Sequence, residues 1–449
     1  MSFPWAQVDI ALAKTQPILL CGRVARVSGL IVEGTLPRAR MGMMCRLMVR
    51  DRPDGIPAEV VAVKEDVCSL MPLLHVSGVT AGTPIEPMQE TPSVPVSDKL
   101  IGRVVNAWCE PIDGGAPFGS QTSYPLQPPP LNPMERGLVE RPVSMGVHSI
   151  DGLLTCGEGQ RVVIMAGAGV GKSTLLGMLA RNAEADVVVV ALIGERSREV
   201  KRFVESELGE DARARTVVVA ATSDTAVALR IRAAYAATAV AEYFRDKGKR
   251  VLLLMDSLTR VCMAQRELGL ATGEPPTTRG YPPSAFAIIP TLLERAGMGI
   301  GAGSITAFYT ALLERDDVGD PIGDAIRAVT DGHIVLSRQM AERGSFPAID
   351  VLQSTSRVMG EVVDPLHRRA AVTIRRVMAD IREAEELVSF GAYTKGEVPR
   401  FDRALAVAGF LRGLMEQTPD TSFPFHGTRN AIANLAAKIE SNEREGPNA

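Results

Sequence analysis

Residues Ala166-Gly167-Ala168-Gly169-Val170-Gly171-Lys172-Ser173-Thr174 form a glycine-rich run between two apolar stretches of different character. Before it, Arg161–Met165 reads as a strand; after it, Leu175–Arg181 reads as a helix. A strand, a glycine turn and a helix opening with Lys-Ser make a phosphate-binding P-loop. Glycines let successive backbone N–H groups turn inward as an anion nest, and the helix N-terminus adds partial positive charge. The phosphate cradle is therefore expected at Gly167, Ala168, Gly169, Val170, Gly171, Lys172, Ser173 and Thr174. Lys172 supplies a point charge for the β- and γ-phosphates, and the Ser173 hydroxyl is a ligand for Mg²⁺. Ala166 stands where the strict pattern has glycine, at the end of the strand, where a methyl group is tolerated.

The pattern around this loop predicts three domains. From Pro17 to about Met88, short runs such as Ile18-Leu19-Leu20, Arg23–Val27, Cys45–Val49 and Glu59–Val63 are broken by Gly and Pro, which predicts a small β-barrel over 1–92. From Val143 to about Ile374, strand-like runs (Arg161–Met165, Val187–Ile193, Thr216–Ala220, Val251–Met255, Ser304–Leu312, His333–Leu336) alternate with helical patterns. That alternation predicts βαβ units and a parallel sheet in an α/β domain over 93–375. A Pro/Gly-rich stretch over 110–142 reads as a connector on its surface. Beyond Arg375 the spacing is helical, in Val377–Val388, Phe401–Met415 and Thr428–Ile439, so 376–449 is expected to be a helical domain with a frayed tail over Glu440–Ala449.

Composition narrows the function. The 449 residues carry a net charge of -3, which asks for neither nucleic acid nor an acidic membrane. The six cysteines are scattered, with no C-x-x-C pair, as expected of buried thiols in a reducing cytoplasm. The N-terminus has no basic region followed by an apolar one, so it does not read as a signal peptide, and no run of about 18 apolar residues is long enough to span a bilayer.

Binding phosphate is not hydrolysing it; hydrolysis also needs a carboxylate on the Mg²⁺ side, a group that aligns water, and cations for the transition state. Asp256 ends the apolar strand Val251–Met255, and ligands in parallel sheets sit at the carboxyl ends of strands, so it either reaches the Mg²⁺ shell beside Ser173 or simply caps the following turn, with the P-loop upstream favouring the first. Glu195 follows the strand Val187–Ile193 and is placed to face the γ-phosphate, where it accepts a proton from water or orients it. The plain alternative is a glutamate opening a helix. Arg357, in Ser354-Thr355-Ser356-Arg357 after a candidate loop Phe346–Asp350, is either a solvated surface charge or a finger presented to a neighbour's γ-phosphate. Arg279, in the loop Thr277–Pro283, is either a phosphate sensor, part of a pore loop or part of a structural turn.

Three longer stretches carry a family resemblance: Ile193–Val200; Asp256–Glu267 running into Gly273–Ser284; and Pro347–Met359. Together they are similar to the homohexameric ATPases of type III secretion systems, which serve flagellar export and injectisomes and resemble the catalytic β-subunit of rotary ATP synthases. The resemblance implies a RecA-like core, ATP and Mg²⁺ as ligands, Glu195 activating water with Arg196 in support, and Arg357 donated in trans. It implies that Phe346 stacks on adenine and that Arg279 lies near the γ-phosphate. It also implies an oligomerising barrel, a helical domain that meets chaperone–effector complexes, and as partners a central stalk, a stator and an export gate at the cytoplasmic face of the inner membrane. Ser149–Gln160 and the short segment before the barrel look more like the injectisome branch than the flagellar one.

Two other readings compete. A ring-shaped RNA translocase of the termination-factor type needs stacking aromatics and a basic groove near its N-terminus. Past Phe3 and Trp5 the first hundred residues hold no aromatic side chain of the Phe, Tyr or Trp kind, and their charges roughly balance. A non-catalytic subunit of a rotary ATPase normally lacks the water-activating carboxylate, which is present here as Glu195.

Overall fold

The computed structural model describes residues 20–89, 92–120, 122–313 and 320–444. The start of the run Ile18–Leu20, the leader reading and the end of the tail lie outside them. Six strands, β1 (Gly22–Ser28), β2 (Ile31–Thr35), β3 (Met44–Val49), β4 (Arg52–Lys64), β5 (Val67–Pro72) and β6 (Pro84–Gln89), close a barrel in the order β1-β2-β5-β4-β3-β6. Strand β1 pairs antiparallel with both β2 and β6, which leaves the barrel no open edge. Alternate residues point inward, so Cys45, Leu47, Ile56, Ala58, Leu70 and Ile85 fill its centre.

The second unit is a nine-stranded sheet. Its main path runs β14-β13-β8-β12-β11-β9-β10-β7, with β7 (Val104–Val105), β8 (Arg161–Ala166), β9 (Val187–Ile193), β10 (Thr216–Ala221), β11 (Arg250–Asp256), β12 (Ser304–Leu312), β13 (Gly332–Leu336) and β14 (Ile349–Ser356). The pairings along this path are parallel except the first, β14 with β13. Every residue of β9 and β10 is buried, as strands covered on both faces must be. Val163 and Met165 of β8 join one core and Val162 and Ile164 the other, so successive side chains serve opposite faces.

The sheet departs from the expected all-parallel order at one edge. The stretch expected to be a loop through Asp350 becomes strand at Ile349, and this strand runs antiparallel as the sheet's edge. Buried polar residues, Asp350 and Ser354, disguise it in the sequence. Within the connector, Thr122–Pro125 pairs with Ser93–Val96, and Arg136 donates to the carbonyls of Glu294, Ala296 and Met298.

Helix α1 (Lys172–Asn182) follows the P-loop and α2 (Leu258–Ala271) follows β11. Three further helices, α3 (Pro365–Ser389), α4 (Pro399–Met415) and α5 (Phe425–Arg444), pack against the α1 face of the sheet through Ala370, Ile374, Leu411, Ile432 and Ile439. The expected division at 375/376 falls inside α3. Asp364 caps this helix by accepting from the N–H groups of Leu366 and His367, so it begins eleven residues before that division. Among the described residues no helix is long and apolar enough to cross a membrane.

Candidate active site

The sheet order decides what meets at the P-loop. β12 lies between β8 and β11, and β9 flanks β11 on its other side. Ala166 is level with Leu312, and Asp256 with Leu192, so the four carboxyl ends open on one cleft. The cleft has a volume of about 540 Å³ and is lined by Gly167–Gly169, Gly171–Thr174, Glu195, Arg196, Asp256 and Arg260. A larger cleft of about 1100 Å³ lies between the barrel and the end of β10, without any P-loop residue. Val170 turns away from the smaller cleft into the core beneath it.

Gly171 caps α1 in the left-handed region, with φ of 91°, which an L side chain rarely adopts. No side chain caps this helix end, so its first N–H groups remain for an anion. A Cβ on Gly171 would also lie 3.4 Å from the Phe346 ring, which places that ring over the P-loop. Phe346 is 42% exposed and presents a free aromatic surface there.

Lys172 stands between two buried carboxylates. Its Nζ donates to Asp256 Oδ1 and lies 3.7 Å from Glu195 Oε1. The same Asp256 oxygen accepts from Thr310 Oγ1 at 2.7 Å, from the intervening strand β12. Two carboxylates face one ammonium here, and the Arg260 guanidinium lines the same cleft. Among the described residues no three or more His, Cys, Asp or Glu side chains converge as a metal cage. An all-oxygen set of one hydroxyl and one carboxylate, completed by substrate phosphates and water, is the way Mg²⁺ is usually held. Ser173 and Asp256 fit that requirement.

Burial pushes the Glu195 carboxyl up to about 7, with the Asp256 charge and a hydrogen bond with Glu199 adding to the rise, while Lys172 and Arg260 oppose it. Below that pH the carboxyl holds its proton and cannot take one from water. We therefore expect kcat/KM for ATP to rise with pH through about 7 and then level off, in a pH–rate profile at limiting ATP. An acid limb at the ordinary carboxylate value of 4.5 would contradict this placement.

The sequence reading missed two side chains. Arg260 lies four residues after Asp256, on the first turn of α2, with its stem against Gly194. Its Nε is buried and has no hydrogen-bond partner in the protein, and the residue lines the cleft. The spacing from the strand-end carboxylate was the available signal. Thr310, which holds Asp256, had none. Arg196 is exposed at the rim, 3.5 Å from Glu199.

Besides Val170 and Phe346, two expected cations, Arg279 and Arg357, do not line the cleft. Arg279 sits in a one-turn loop with φ of 50° and donates to Asp320 Oδ2 at 3.4 Å. Arg357 follows β14, the strand whose other end follows Phe346. Thr355 is level with His333 and His333 with Val163, so Arg357 leaves the sheet at the amino ends of the parallel strands. Roughly 17 Å of strand then separates it from the P-loop of its own chain, at about 3.3 Å per residue. Its side chain is exposed and makes a long contact, 3.5 Å, with the Arg327 carbonyl.

Known proteins match this chain over most of its length. The nucleotide-binding domain of the ATP synthase alpha/beta family matches residues 146–356, and the T3SS EscN ATPase C-terminal domain matches residues 363–434. The type 3 secretion system ATPase of Sinorhizobium fredii is 47% identical over 416 residues, covering 93% of this chain and 92% of that protein. The flagellum-specific ATP synthase of Bacillus subtilis is 46% identical over 439 residues, covering 95% and 100%. The assembled ATPase EscN of the enteropathogenic E. coli type III secretion system superposes with a TM-score of 0.87 at 42% identity, covering 92% of this chain and 100% of that one. The same ATPase in complex with its central stalk EscO gives 0.85 at 41%.

Proposed function

This chain belongs to the type 3 secretion and flagellum-specific ATPases of the ATP synthase alpha/beta family, a family of ATP hydrolases, and on that premise we propose which residues hydrolyse ATP and why the chain works as a ring. The P-loop amides and Lys172 hold the triphosphate. Ser173 and Asp256 hold Mg²⁺, which when bound neutralises phosphate charge. Glu195 accepts the proton of the attacking water, with Arg196 supporting it from the rim, and Arg260 adds a positive charge at the cleft wall. Phe346 stacks on the base. Arg357 serves a neighbouring subunit, and Arg279 stays with Asp320 on the loop side of the same subunit.

The observation that carries the ring is the position of Arg357. A cation needed at the γ-phosphate stands at the wrong end of its own sheet, exposed and loosely held. A second copy brings it within reach. ATPase activity should therefore rise more than linearly with protein concentration until assembly is complete. A specific activity that stays constant down to concentrations where sedimentation finds only monomer would contradict the shared site.

The family likeness supports a homohexamer that works with a central stalk, as EscN does with EscO. In this reading the barrel closes the ring, and the helical domain, taken from Pro365, meets chaperone–effector complexes. A stator and an export gate hold the ring at the inner face of the cytoplasmic membrane. Ser149–Gln160 favours the injectisome branch. Hydrolysis would drive chaperone release and unfolding of the exported protein.

A further inference from the structure

Gln417 follows α4 and begins the linker that leads to α5. It is buried, and its polar atoms are spread over three separate segments. Its backbone N–H donates to the carbonyl of Phe346 at 2.9 Å. Its Oε1 accepts from the N–H of His148 at 3.1 Å. Its Nε2 donates to the carbonyls of Gly146 and Thr421, each at 2.8 Å. The linker beyond it lies across the end of α1, where Arg181 donates to the Pro419 carbonyl at 2.7 Å. At the far side His148 stacks on Phe423, with ring centroids 3.7 Å apart, and bonds Thr428 on α5 at 2.9 Å.

The helical domain is thus pinned to the nucleotide-binding domain beside the P-loop helix. At the same point it is bonded to the loop that carries the exposed ring over Gly171. We propose that Gln417 is the positioning residue through which the C-terminal helices set the base-stacking ring of Phe346. This rests on Phe346 being the stacking residue. The side-chain amide fixes the linker against Gly146 and His148, and the backbone N–H passes that position to Phe346. A helical domain displaced by cargo or a stalk would then shift the ring and change how tightly the base is held, without touching the phosphates.

The test compares ATP with Mg²⁺-tripolyphosphate, which has the phosphate chain and no base. Phe346→Ala should raise KM for ATP roughly tenfold, as expected for losing one base–aromatic stack, with kcat within about twofold. The inhibition constant of tripolyphosphate should stay unchanged. Gln417→Leu in the full-length chain should raise KM for ATP about fivefold, a smaller loss because the ring is misplaced rather than removed, and it should add nothing in the Phe346→Ala background. If the leucine variant fails to fold, Gln417→Glu keeps an acceptor for the His148 N–H, loses the two amide donations and is read the same way. An unchanged KM in Phe346→Ala would overturn the stacking assignment and this inference with it. A normal KM in the Gln417 variant beside a raised one in Phe346→Ala would overturn this inference alone. Equal losses for ATP and tripolyphosphate in the Gln417 variant would mean a deformed cleft and would also overturn it.

Discussion

Glu195→Gln is expected to keep ATP bound while turnover falls by roughly 10²–10⁴-fold, the range for losing a positioned acid–base group. The substitution is close to isosteric. It removes a negative charge from the neighbourhood of the phosphates and leaves the Lys172–Asp256 contact and the P-loop in place. Nucleotide affinity should therefore hold or improve. An amide cannot take the proton that the attacking water must lose, so binding and hydrolysis separate. Equilibrium binding of a fluorescent ATP analogue, set beside steady-state phosphate release, reads both quantities. Near-normal phosphate release would remove Glu195 from the chemistry and leave it as a structural carboxylate beside Lys172.

Arg357→Ala should cost the assembled enzyme roughly 10³–10⁵-fold in turnover, the range for an arginine finger. The structure separates this effect from folding. The side chain is exposed, and its hydrogen bond to the Arg327 carbonyl is long, at 3.5 Å. Thermal stability should change little, because surface substitutions away from buried networks usually stay within about 0.5 kcal/mol. ATP affinity of the isolated chain should also be nearly unchanged, because Arg357 lies at the opposite end of the sheet from its own P-loop. Loss of turnover with intact monomer binding is the signature of a group that acts on another subunit. A matching loss of ATP affinity in the monomer would place Arg357 in its own cleft, against the strand register.

The parts of the fold written locally were legible before the structure. The glycines and Lys-Ser of the P-loop declare themselves within nine residues, and the apolar runs of β8, β9, β11 and β12 are dense because both faces of the sheet are covered. Ends of strands gave Asp256 and Glu195. What escaped depends on partners distant in sequence. β14 was hidden because Asp350 is a buried carboxylate inside a strand. Its charge is met by Arg382 of α3, 2.7 Å away, and by the N–H groups of Leu352 and Gln353. No local pattern announces that arrangement. Thr310 escaped because one threonine in an apolar strand is unremarked until its hydroxyl is seen on Asp256. Gln417 escaped for the same reason, since each of its partners but Thr421 is at least 71 residues away. The 375/376 division erred toward the change in composition, whereas α3 starts where Asp364 caps it.

The shared site can be tested by mixing two inactive forms. Lys172→Ala loses the phosphate-binding cation but keeps Arg357; Arg357→Ala keeps a complete P-loop but lacks the finger. In a mixed ring some interfaces pair an intact P-loop with an intact Arg357 from the neighbour. The account predicts that phosphate release returns on mixing and falls again when either form is in large excess. A mixture as inactive as its components, with both forms still assembling into the same rings, would contradict a site built from two subunits.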